Sequence, residues 1–247
     1  MKAVNKIPEE MISKFTMNNE IPILDYYLNG VVEDVDLPDW NNDYINSFLN
    51  RYNNFAIFER QIGEPYAYGS MLHLMAINKY PIKDKKVAVI GSLTPWIEAI
   101  LLNNGAKHVT TVEYNVPICD NEKLKCISYK DFCESDEIYD AIFSYSSIEH
   151  SGLGRYGDEL NPIGDIETLV NIKDHLKKDG LLYLGIPVGK DCVCFNAHRI
   201  YGEKRLKLIE DLFEEIEWIG VVNKDYIYKA ELMRWGPQPI IIYKNTK

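Results

Sequence analysis

Gly91 and Glu113 are the residues whose types and spacing point most directly to ligand chemistry. Gly91 follows the apolar, β-branched run Val87 to Ile90, which is typical of a buried parallel strand. Glu113 ends a second β-rich run that begins at His108. The separation is close to the roughly 20 residues between the glycine turn and the ribose-binding carboxylate of nucleotide-binding units. Because such a carboxylate can accept hydrogen bonds from two ribose hydroxyls, the unit predicts an adenosine site.

A second group of reactive side chains follows the apolar run Tyr139 to Tyr145. Glu149 and His150 come just after it, and His198 lies in a later polar segment, residues 196–202. Histidine is the side chain best suited to accept a proton near neutral pH. Open α/β sheets bind ligands at the carboxyl ends of their strands, so we expect these three residues near a bound substrate. The plainer interpretations are a structural hydrogen bond for His150 and a surface loop for His198.

The segment Ser151 to Asp158 combines three glycines with Arg155 and Tyr156. Flexible glycines among polar groups suit a loop that closes over a bound substrate. A solvated turn would have the same composition. Arg155 and Arg199 together could bind a phosphate or carboxylate group of the substrate. Further upstream, Tyr66 and Tyr68 are candidates for contacts from a lid, against the more common core or surface tyrosine.

These residues are carried by alternating elements from residue 86 onward. Helices are predicted over Ile7–Phe15, Asp43–Phe58, Gly69–Lys79, Trp96–Asn104, Ile166–Lys178 and Arg205–Phe213; strands over Val87–Ile90, His108–Val112, Leu124–Tyr129, Tyr139–Tyr145, Leu181–Pro187, Ile216–Val222 and Pro239–Tyr243. Alternation of this kind predicts a mostly parallel sheet with helices on both faces. The absence of a helical pattern between the last two strands predicts an antiparallel hairpin. Residues 1–84 are predicted to be an N-terminal helical cap, and residues 85–247 a Rossmann-like domain.

Composition narrows the possible functions. A 247-residue chain with 46% hydrophobic residues is long enough for one large α/β domain with a buried core. Its formal charge of −10 argues against a general nucleic-acid surface. No run is apolar enough for a membrane span or signal peptide, so a cytoplasmic protein is expected. The five cysteines include no Cys-x-x-Cys pair, which fits reduced thiols and no structural zinc.

Three local patterns resemble class I S-adenosylmethionine-dependent methyltransferases. They are the Gly91 to Glu113 unit, the stretch Tyr139 to His150 with its Glu-His pair, and the helix–turn–strand segment Leu176 to Leu184 that opens the fifth strand. The resemblance covers about residues 86–244. It implies S-adenosylmethionine as cofactor, held by Gly91, Ser92, Glu113, Tyr114, Asp131, Ser144 and Tyr145, with Asp131 at the adenine amine. The stretch Ser146 to Asp158 also resembles a little-characterised branch of the superfamily, a domain of unknown function.

The chain departs from the superfamily in one respect. After the first strand it has Gly91-Ser-Leu-Thr-Pro95 where relatives have Gly-x-Gly-x-Gly, so Ser92 and Leu93 must supply the backbone near the cofactor. A similar Ile-Glu-His in some RNA-end methyltransferases holds a divalent metal, but here His198 is the one plausible extra ligand and no metal is expected.

The sequence thus predicts a methyltransferase acting on oxygen of a small polar acceptor, such as a sugar or nucleotide-linked sugar. In this interpretation Glu149, His150 and His198 are catalytic, and Arg155, Tyr156 and Arg199 bind the acceptor. Two alternatives stay open. One is a non-catalytic ligand-binding module on the same fold, motivated by the altered turn. The other is a nicotinamide-dependent oxidoreductase, whose ribose Glu113 would serve equally well.

Overall fold

The computed structural model describes residues 3–30, 39–59 and 67–247. The helices are α1 (Glu9–Phe15), α2 (Asn42–Arg51), α3 (Asn54–Glu59), α4 (Ala67–Lys79), α5 (Trp96–Asn103), α6 (Tyr129–Glu134), α7 (Gly164–Asp174), α8 (Glu203–Glu210) and α9 (Asp225–Lys229). The strands are β1 (Ile23–Tyr26), β2 (Lys86–Ile90), β3 (His108–Glu113), β4 (Leu124–Ser128), β5 (Tyr139–Tyr145), β6 (Leu176–Gly185), β7 (Cys192–Asn196), β8 (His198–Ile200), β9 (Glu214–Ile219) and β10 (Ile240–Lys244).

The main sheet of the described residues has seven strands in the order β4-β3-β2-β5-β6-β10-β9. Strand β10 runs antiparallel to both of its neighbours, β6 and β9. The pairs from β4 across to β6 are all parallel. This confirms the predicted Rossmann-like, mostly parallel sheet and its antiparallel terminal pair. The order reverses after β2, and in such sheets the ligand crevice lies where the order reverses.

Alternate residues of the central strands enter two different cores, as the twofold period of a strand requires. Val87 and Val89 of β2 pack with helices α2, α4 and α5 on one face. Ala88 and Ile90 pack with α6, α7 and α8 on the other face. Burial on both faces explains why the strand reads as a continuous apolar run.

The N-terminal residues contribute to this architecture. Helices α2 and α4 share a core with β2 and β5, and Tyr68 on α4 accepts a hydrogen bond from the Val221 backbone N–H at 3.2 Å. The division into a cap over residues 1–84 and a domain over 85–247 stays a prediction. Tyr66, the other predicted lid tyrosine, lies outside the described residues. Among the helices that the structure describes, none combines the length and apolar character needed to cross a membrane.

A small second sheet, β1-β7-β8, was not predicted. Strand β1 pairs parallel with β7, which pairs antiparallel with β8. The segment around His198 is therefore a buried strand, and its interpretation as a polar loop was wrong. The pairing joins residues 23–26 to residues 193–196, which are distant in sequence, so no local pattern in either segment predicts it.

Helix α7 ends earlier than predicted. It stops at Asp174, and Lys177 to Gly180 belong to β6, where the pairing with β5 shifts register. In this turn Asp179 has a left-handed backbone, with φ 63°. The cause is a distant contact: Asp179 N–H donates to the Asn245 carbonyl at 2.7 Å, and Asn245 N–H donates back to Gly180 at 3.0 Å.

Two smaller differences also involve helices. The segment 43–58 forms two helices, α2 and α3, because Asn53 Oδ1 accepts the Ala56 N–H and starts a new helix. The short helix α9 lies between the closing strands, where no helical pattern was expected.

A buried charge cluster ties α7 to the second sheet. Asp165, with no solvent exposure, accepts hydrogen bonds from Arg205 Nη2 at 2.5 Å and Tyr201 Oη at 2.8 Å. Arg199 Nε lies 3.6 Å from its other oxygen. Burial alone would raise the pKa of Asp165, but the two guanidinium groups outweigh it and lower that pKa. The carboxylate is therefore ionised and holds two buried cations.

We expect Asp165→Ala to lower the free energy of unfolding by about 3–5 kcal/mol, because it leaves two buried guanidinium groups without their counter-ion. Urea denaturation measures the change. Asp174→Ala, on the exposed end of the same helix, is the matched control and should cost less than about 0.5 kcal/mol. Equal stabilities of the two variants would contradict the anchoring role of Asp165.

Candidate active site

A cavity of about 370 Å³ opens at the carboxyl ends of β2, β3 and β5. This is the edge at which the sequence placed the site. The described residues that line it are Ile90, Gly91, Ser92, Leu93, Trp96, Val112, Glu113, Tyr114, Asn115, Tyr129, Tyr145, Ser146, Ser147, Ile148, His150, Ser151, Tyr156, Gly157, Asp158 and Thr168. The structure thus brings most of the predicted cofactor residues to one cavity, together with His150 and Tyr156.

Gly91 makes the turn from β2 into the cavity wall. Its φ is +77°, and its N–H donates to the Val112 carbonyl at 3.0 Å. A Cβ atom at this position would overlap the Ser147 side chain. The glycine is therefore required twice, by the left-handed backbone and by the close approach of the residues after β5.

Ser92 holds the altered turn through its own polar groups. Its backbone N–H donates to Glu113 Oε1 at 2.5 Å, and its Oγ lies 2.9 Å from the Thr94 carbonyl oxygen and 3.0 Å from Glu98 Oε2. The turn after β2 is thus bonded to the ends of β3 and α5 without the second and third glycines of the superfamily pattern.

Glu113 lies at the cavity rim with each carboxylate oxygen already accepting one backbone N–H, from Ser92 and from Tyr114 (3.1 Å). Burial raises its pKa, and these two hydrogen bonds oppose the rise. A carboxylate oxygen has two lone pairs, so each keeps one acceptor position for a ligand hydroxyl.

Two tyrosine rings form the wall beside Glu113. Tyr114 is 68% exposed, and its ring centroid lies 5.4 Å from that of Tyr129. Tyr129 Oη is in turn 3.4 Å from the Thr168 hydroxyl. These rings offer a flat surface for a planar ligand such as a nucleobase.

Two predicted cofactor residues lie away from the cavity. The Ser144 hydroxyl is buried and donates to the Ile90 carbonyl at 3.1 Å, joining β5 to β2. Asp131 forms a local pair with Ser128 at the start of α6, with Ser128 Oγ accepting the Asp131 N–H at 3.0 Å. Both side chains serve the scaffold, so the structure does not support them as ligands of the cofactor. Tyr145 lines the cavity as predicted.

Ser146 has a left-handed backbone, φ 54°, directly after β5. Such a conformation is uncommon for a residue with a Cβ and is found disproportionately at functional sites. Its N–H donates to the Gly185 carbonyl at 2.9 Å, so the neighbouring strand stabilises the bend. The bend turns the chain so that Ser147, Ile148 and His150 also face the cavity.

His150 is a neutral imidazole with a defined tautomer. Its Nδ1 lies 2.6 Å from the Ala197 carbonyl, which can only accept, so Nδ1 carries the hydrogen and Nε2 carries the lone pair. Burial and the Arg155 guanidinium lower the pKa of His150 to about 3. The ring can therefore accept a proton at Nε2, but it is a weaker base in the free protein than the sequence suggested.

Glu149 lies behind His150 and is 1% exposed. Its Oε1 is 3.7 Å from His150 Nε2 and accepts a hydrogen bond from Gln238 Nε2 at 3.3 Å. Burial raises its pKa to about 7, although its own backbone N–H and His198 oppose the rise. It contacts the imidazole from outside the cavity wall.

His198 lies outside the cavity. Its Nε2 is 2.8 Å from the Arg234 carbonyl, and its ring packs against Tyr26 and Trp235. Burial lowers its pKa, but contacts with the Cys194 thiol and the Arg234 carbonyl outweigh burial, so the pKa is raised. The ring centroid is 6.3 Å from that of His150. This places His198 as a buried neighbour and does not support it as a second base.

The glycine-rich segment 151–158 is a folded turn. Asp158 Oδ2 accepts the N–H groups of Gly152 and Gly154, at 2.8 and 3.2 Å, and Oδ1 accepts that of Tyr156. Its three glycines have positive φ. The segment also receives the Val4 N–H on the Gly154 carbonyl. The glycines thus serve a defined backbone shape, and closure of this segment over an acceptor stays a prediction.

The two predicted substrate arginines do not line the cavity. Arg199 is fully buried, and its guanidinium donates to backbone carbonyls of Ser151 (2.6 Å) and Asn161 (3.1 Å). Arg155 donates to the Ala197 carbonyl at 3.2 Å and lies over the Tyr156 ring at 4.9 Å. Both support the turn and His150, so their interpretation as anion ligands is not supported.

Sequence reasoning missed Glu98, Tyr129 and Asp158. Glu98 is the one charged residue of the apolar helix α5, and this isolation in the sequence indicates a carboxyl that is buried and hydrogen-bonded. Tyr129 follows β4 directly and lies two residues before Asp131, the residue that the resemblance predicts at the adenine amine. Within the described residues, no three His, Cys, Asp or Glu side chains converge to hold a metal ion.

We expect Gly91→Ala to destabilise the protein by about 2–4 kcal/mol, because it combines a left-handed Cβ residue with the overlap at Ser147. Thermal or urea unfolding measures the loss. Adding Ser147→Gly should recover the steric part and leave the backbone part. Gly189→Ala, where φ is not positive and the nearest atom is 3.2 Å away, is the control. A Gly91→Ala protein as stable as this control would contradict the analysis.

Comparison with known proteins agrees with this fold. The chain is similar to 1,6-didemethyltoxoflavin-N1-methyltransferase of Burkholderia thailandensis, solved with 1,6-didemethyltoxoflavin and S-adenosylhomocysteine (14% identity, TM-score 0.56, 91% of this chain and 100% of that chain). It is also similar to the N-methyltransferase NodS of Bradyrhizobium japonicum WM9 in complex with S-adenosylhomocysteine (12% identity, TM-score 0.52, 83% and 100%). The chain therefore has the fold of S-adenosylmethionine-dependent methyltransferases. No curated protein matches it.

One family model matches the sequence over residues 84–234, which is more than half of the chain and includes β2 to β9. The chain belongs to the family described as Caenorhabditis protein of unknown function, DUF268.

Proposed function

We propose that this protein is an S-adenosylmethionine-dependent methyltransferase that methylates an oxygen of a small polar acceptor such as a sugar. The observation that carries the proposal is the cavity at the carboxyl edge of the sheet, with Glu113 at its rim and the Tyr114 and Tyr129 rings beside it. A carboxylate suits the two ribose hydroxyls of an adenosine, and the rings suit its base. The methyltransferase fold of the chain supports the same assignment.

The bound cofactor would supply an electrophilic methyl group, and the protein has to orient the acceptor and receive its proton. His150 lines the cavity, and because its Nδ1 hydrogen is held by the Ala197 carbonyl, Nε2 is the nitrogen left to accept the proton. Glu149 Oε1, 3.7 Å from Nε2, stabilises the imidazolium that forms.

The lining favours an uncharged acceptor over a nucleotide-linked one. The hydroxyls of Ser146, Ser147 and Ser151 can bond to acceptor hydroxyls. Among the described lining residues there is no lysine or arginine to pair with a diphosphate. A free or glycosidic sugar thus fits better, and we keep the nucleotide-linked sugar as the second acceptor to be tested.

Wild-type protein should bind S-adenosylhomocysteine in isothermal titration calorimetry, and Glu113→Ala should weaken binding about 10- to 100-fold, since hydrogen bonds to a charged group contribute about 1.5–3 kcal/mol. Glu122→Ala, an exposed carboxylate just before β4, is the control and should bind like wild type. No binding by the wild type at millimolar ligand would refute the proposal. Binding of the reduced nicotinamide nucleotide instead would favour the oxidoreductase.

Transfer of a labelled methyl group should be measured on a panel of sugars and nucleotide-linked sugars. We expect His150→Ala to lower turnover by about 10²–10⁴-fold, the usual contribution of a general base, with unchanged affinity for S-adenosylhomocysteine. His108→Ala, at the opposite edge of the sheet, is the control. Turnover that does not depend on His150 would contradict its role. Cofactor binding without transfer to any acceptor would favour a non-catalytic module.

A further inference from the structure

Glu98 is a fully buried carboxyl directly behind the turn Gly91–Pro95 that follows β2, called the cofactor turn below. It lies in the first turn of α5, and Thr111 on β3 donates a hydrogen bond to its Oε1 at 2.7 Å. Its Oε2 is 3.0 Å from Ser92 Oγ. No described lysine or arginine forms a salt bridge with it. An ionised carboxylate in this position would be buried without a counter-ion, which is costly.

The hydrogen atoms around Ser92 show which form of Glu98 the site prefers. The Ser92 hydroxyl has one hydrogen but two oxygen neighbours, the Thr94 carbonyl at 2.9 Å and Glu98 Oε2. The carbonyl has no hydrogen to give. If Glu98 is protonated on Oε2, it donates to Ser92 Oγ, and Ser92 donates to Thr94. If Glu98 is ionised, one of the two contacts has no hydrogen.

This contact leads directly to the proposed ribose ligand. The Ser92 backbone N–H donates to Glu113 Oε1 at 2.5 Å. The conformation of Ser92, fixed by its hydroxyl, therefore orients the Glu113 carboxylate. In this turn the buried carboxyl takes the place of the missing glycines of the superfamily pattern, because it fixes the backbone through a side-chain bond.

We propose that Glu98 is a positioning residue whose carboxyl is protonated. Loss of this proton weakens the hydrogen bond between Ser92 and Glu113 and thereby weakens binding of the adenosine cofactor. The inference rests on the proposed function for its ligand, while the protonation of Glu98 concerns the free protein. The groups facing Glu98 are Thr111 and Glu113 on β3, Cys126 on β4 and Ser92 on the turn. None of them brings a positive charge.

The direction of the pH effect follows from burial. Burial raises the pKa of Glu98 to about 7; Glu113 adds to the rise, and hydrogen bonds with its own backbone N–H, Thr111 and Ser92 oppose it. The protonated form therefore dominates below pH 7 and is lost above it. Cofactor affinity should fall as the pH rises through this value, even though ionisation of Glu113 acts in the opposite direction.

Glu98→Gln is the informative variant, because its amide reproduces the protonated carboxyl at every pH. The amide N–H₂ can donate to Ser92 Oγ, and the amide oxygen can accept from Thr111. Between pH 6 and 8.5 we expect the wild-type Kd for S-adenosylhomocysteine to rise about tenfold more than that of Glu98→Gln. The ratio of the two proteins cancels the titration of the ligand. Parallel pH profiles would overturn the proposal.

A second measurement needs no ligand. In NMR spectra of the free wild type, the Ser92 backbone amide should shift with a midpoint near pH 7, and in Glu98→Gln this transition should be absent. If S-adenosylhomocysteine binds but the transition is absent in the wild type, the role of Glu98 is wrong and the proposed function stands. If the transition occurs but nothing binds at pH 6, the cofactor assignment fails while Glu98 is still shown to control the turn.

Discussion

The site depends on the parallel pairing of β2 with β3 on one side and with β5 on the other. Parallel strands end at the same edge, so this pairing alone brings the residues that follow three separate strands into one cavity. Gly91 follows β2, Glu113 ends β3, and Ser146 follows β5. The close fit of Gly91 against Ser147 shows how tightly these ends meet. A side chain at the glycine would push the two halves of the cavity apart.

The buried carboxyl groups around this edge behave differently, for a simple electrostatic reason. Asp165 contacts two guanidinium groups, which lower its pKa despite complete burial. Glu98 and Glu149 are buried as deeply but have no such partner, so burial raises the pKa of each to about 7. The first carboxyl stabilises the scaffold as a permanent anion. The other two can change charge near neutral pH, and they lie behind the cofactor turn and behind His150.

The turn over residues 151–158 shows how glycine can be misjudged from sequence. Three glycines suggested mobility, yet Asp158 binds three of the backbone N–H groups, and Arg199 holds the flanking carbonyls. Arg199 is itself held by Asp165. The wall that carries His150 and Tyr156 is thus connected to the buried charge cluster.

The sequence by itself determined the sheet and the position of the site. The apolar runs and the glycine-to-glutamate spacing identified β2, β3 and β5 with small errors, because buried parallel strands and their turns leave strong local patterns. It also predicted Glu113, Tyr114, Tyr145 and His150 at the edge where the cavity opens. Only the tertiary structure decided what each polar side chain does there. Arg199, Ser144 and Asp131 are bonded to the scaffold, Glu98 reaches the cofactor turn, and β1 pairs with β7. These are contacts between residues distant in sequence, and no local pattern encodes which partner a polar group will meet once the chain is folded.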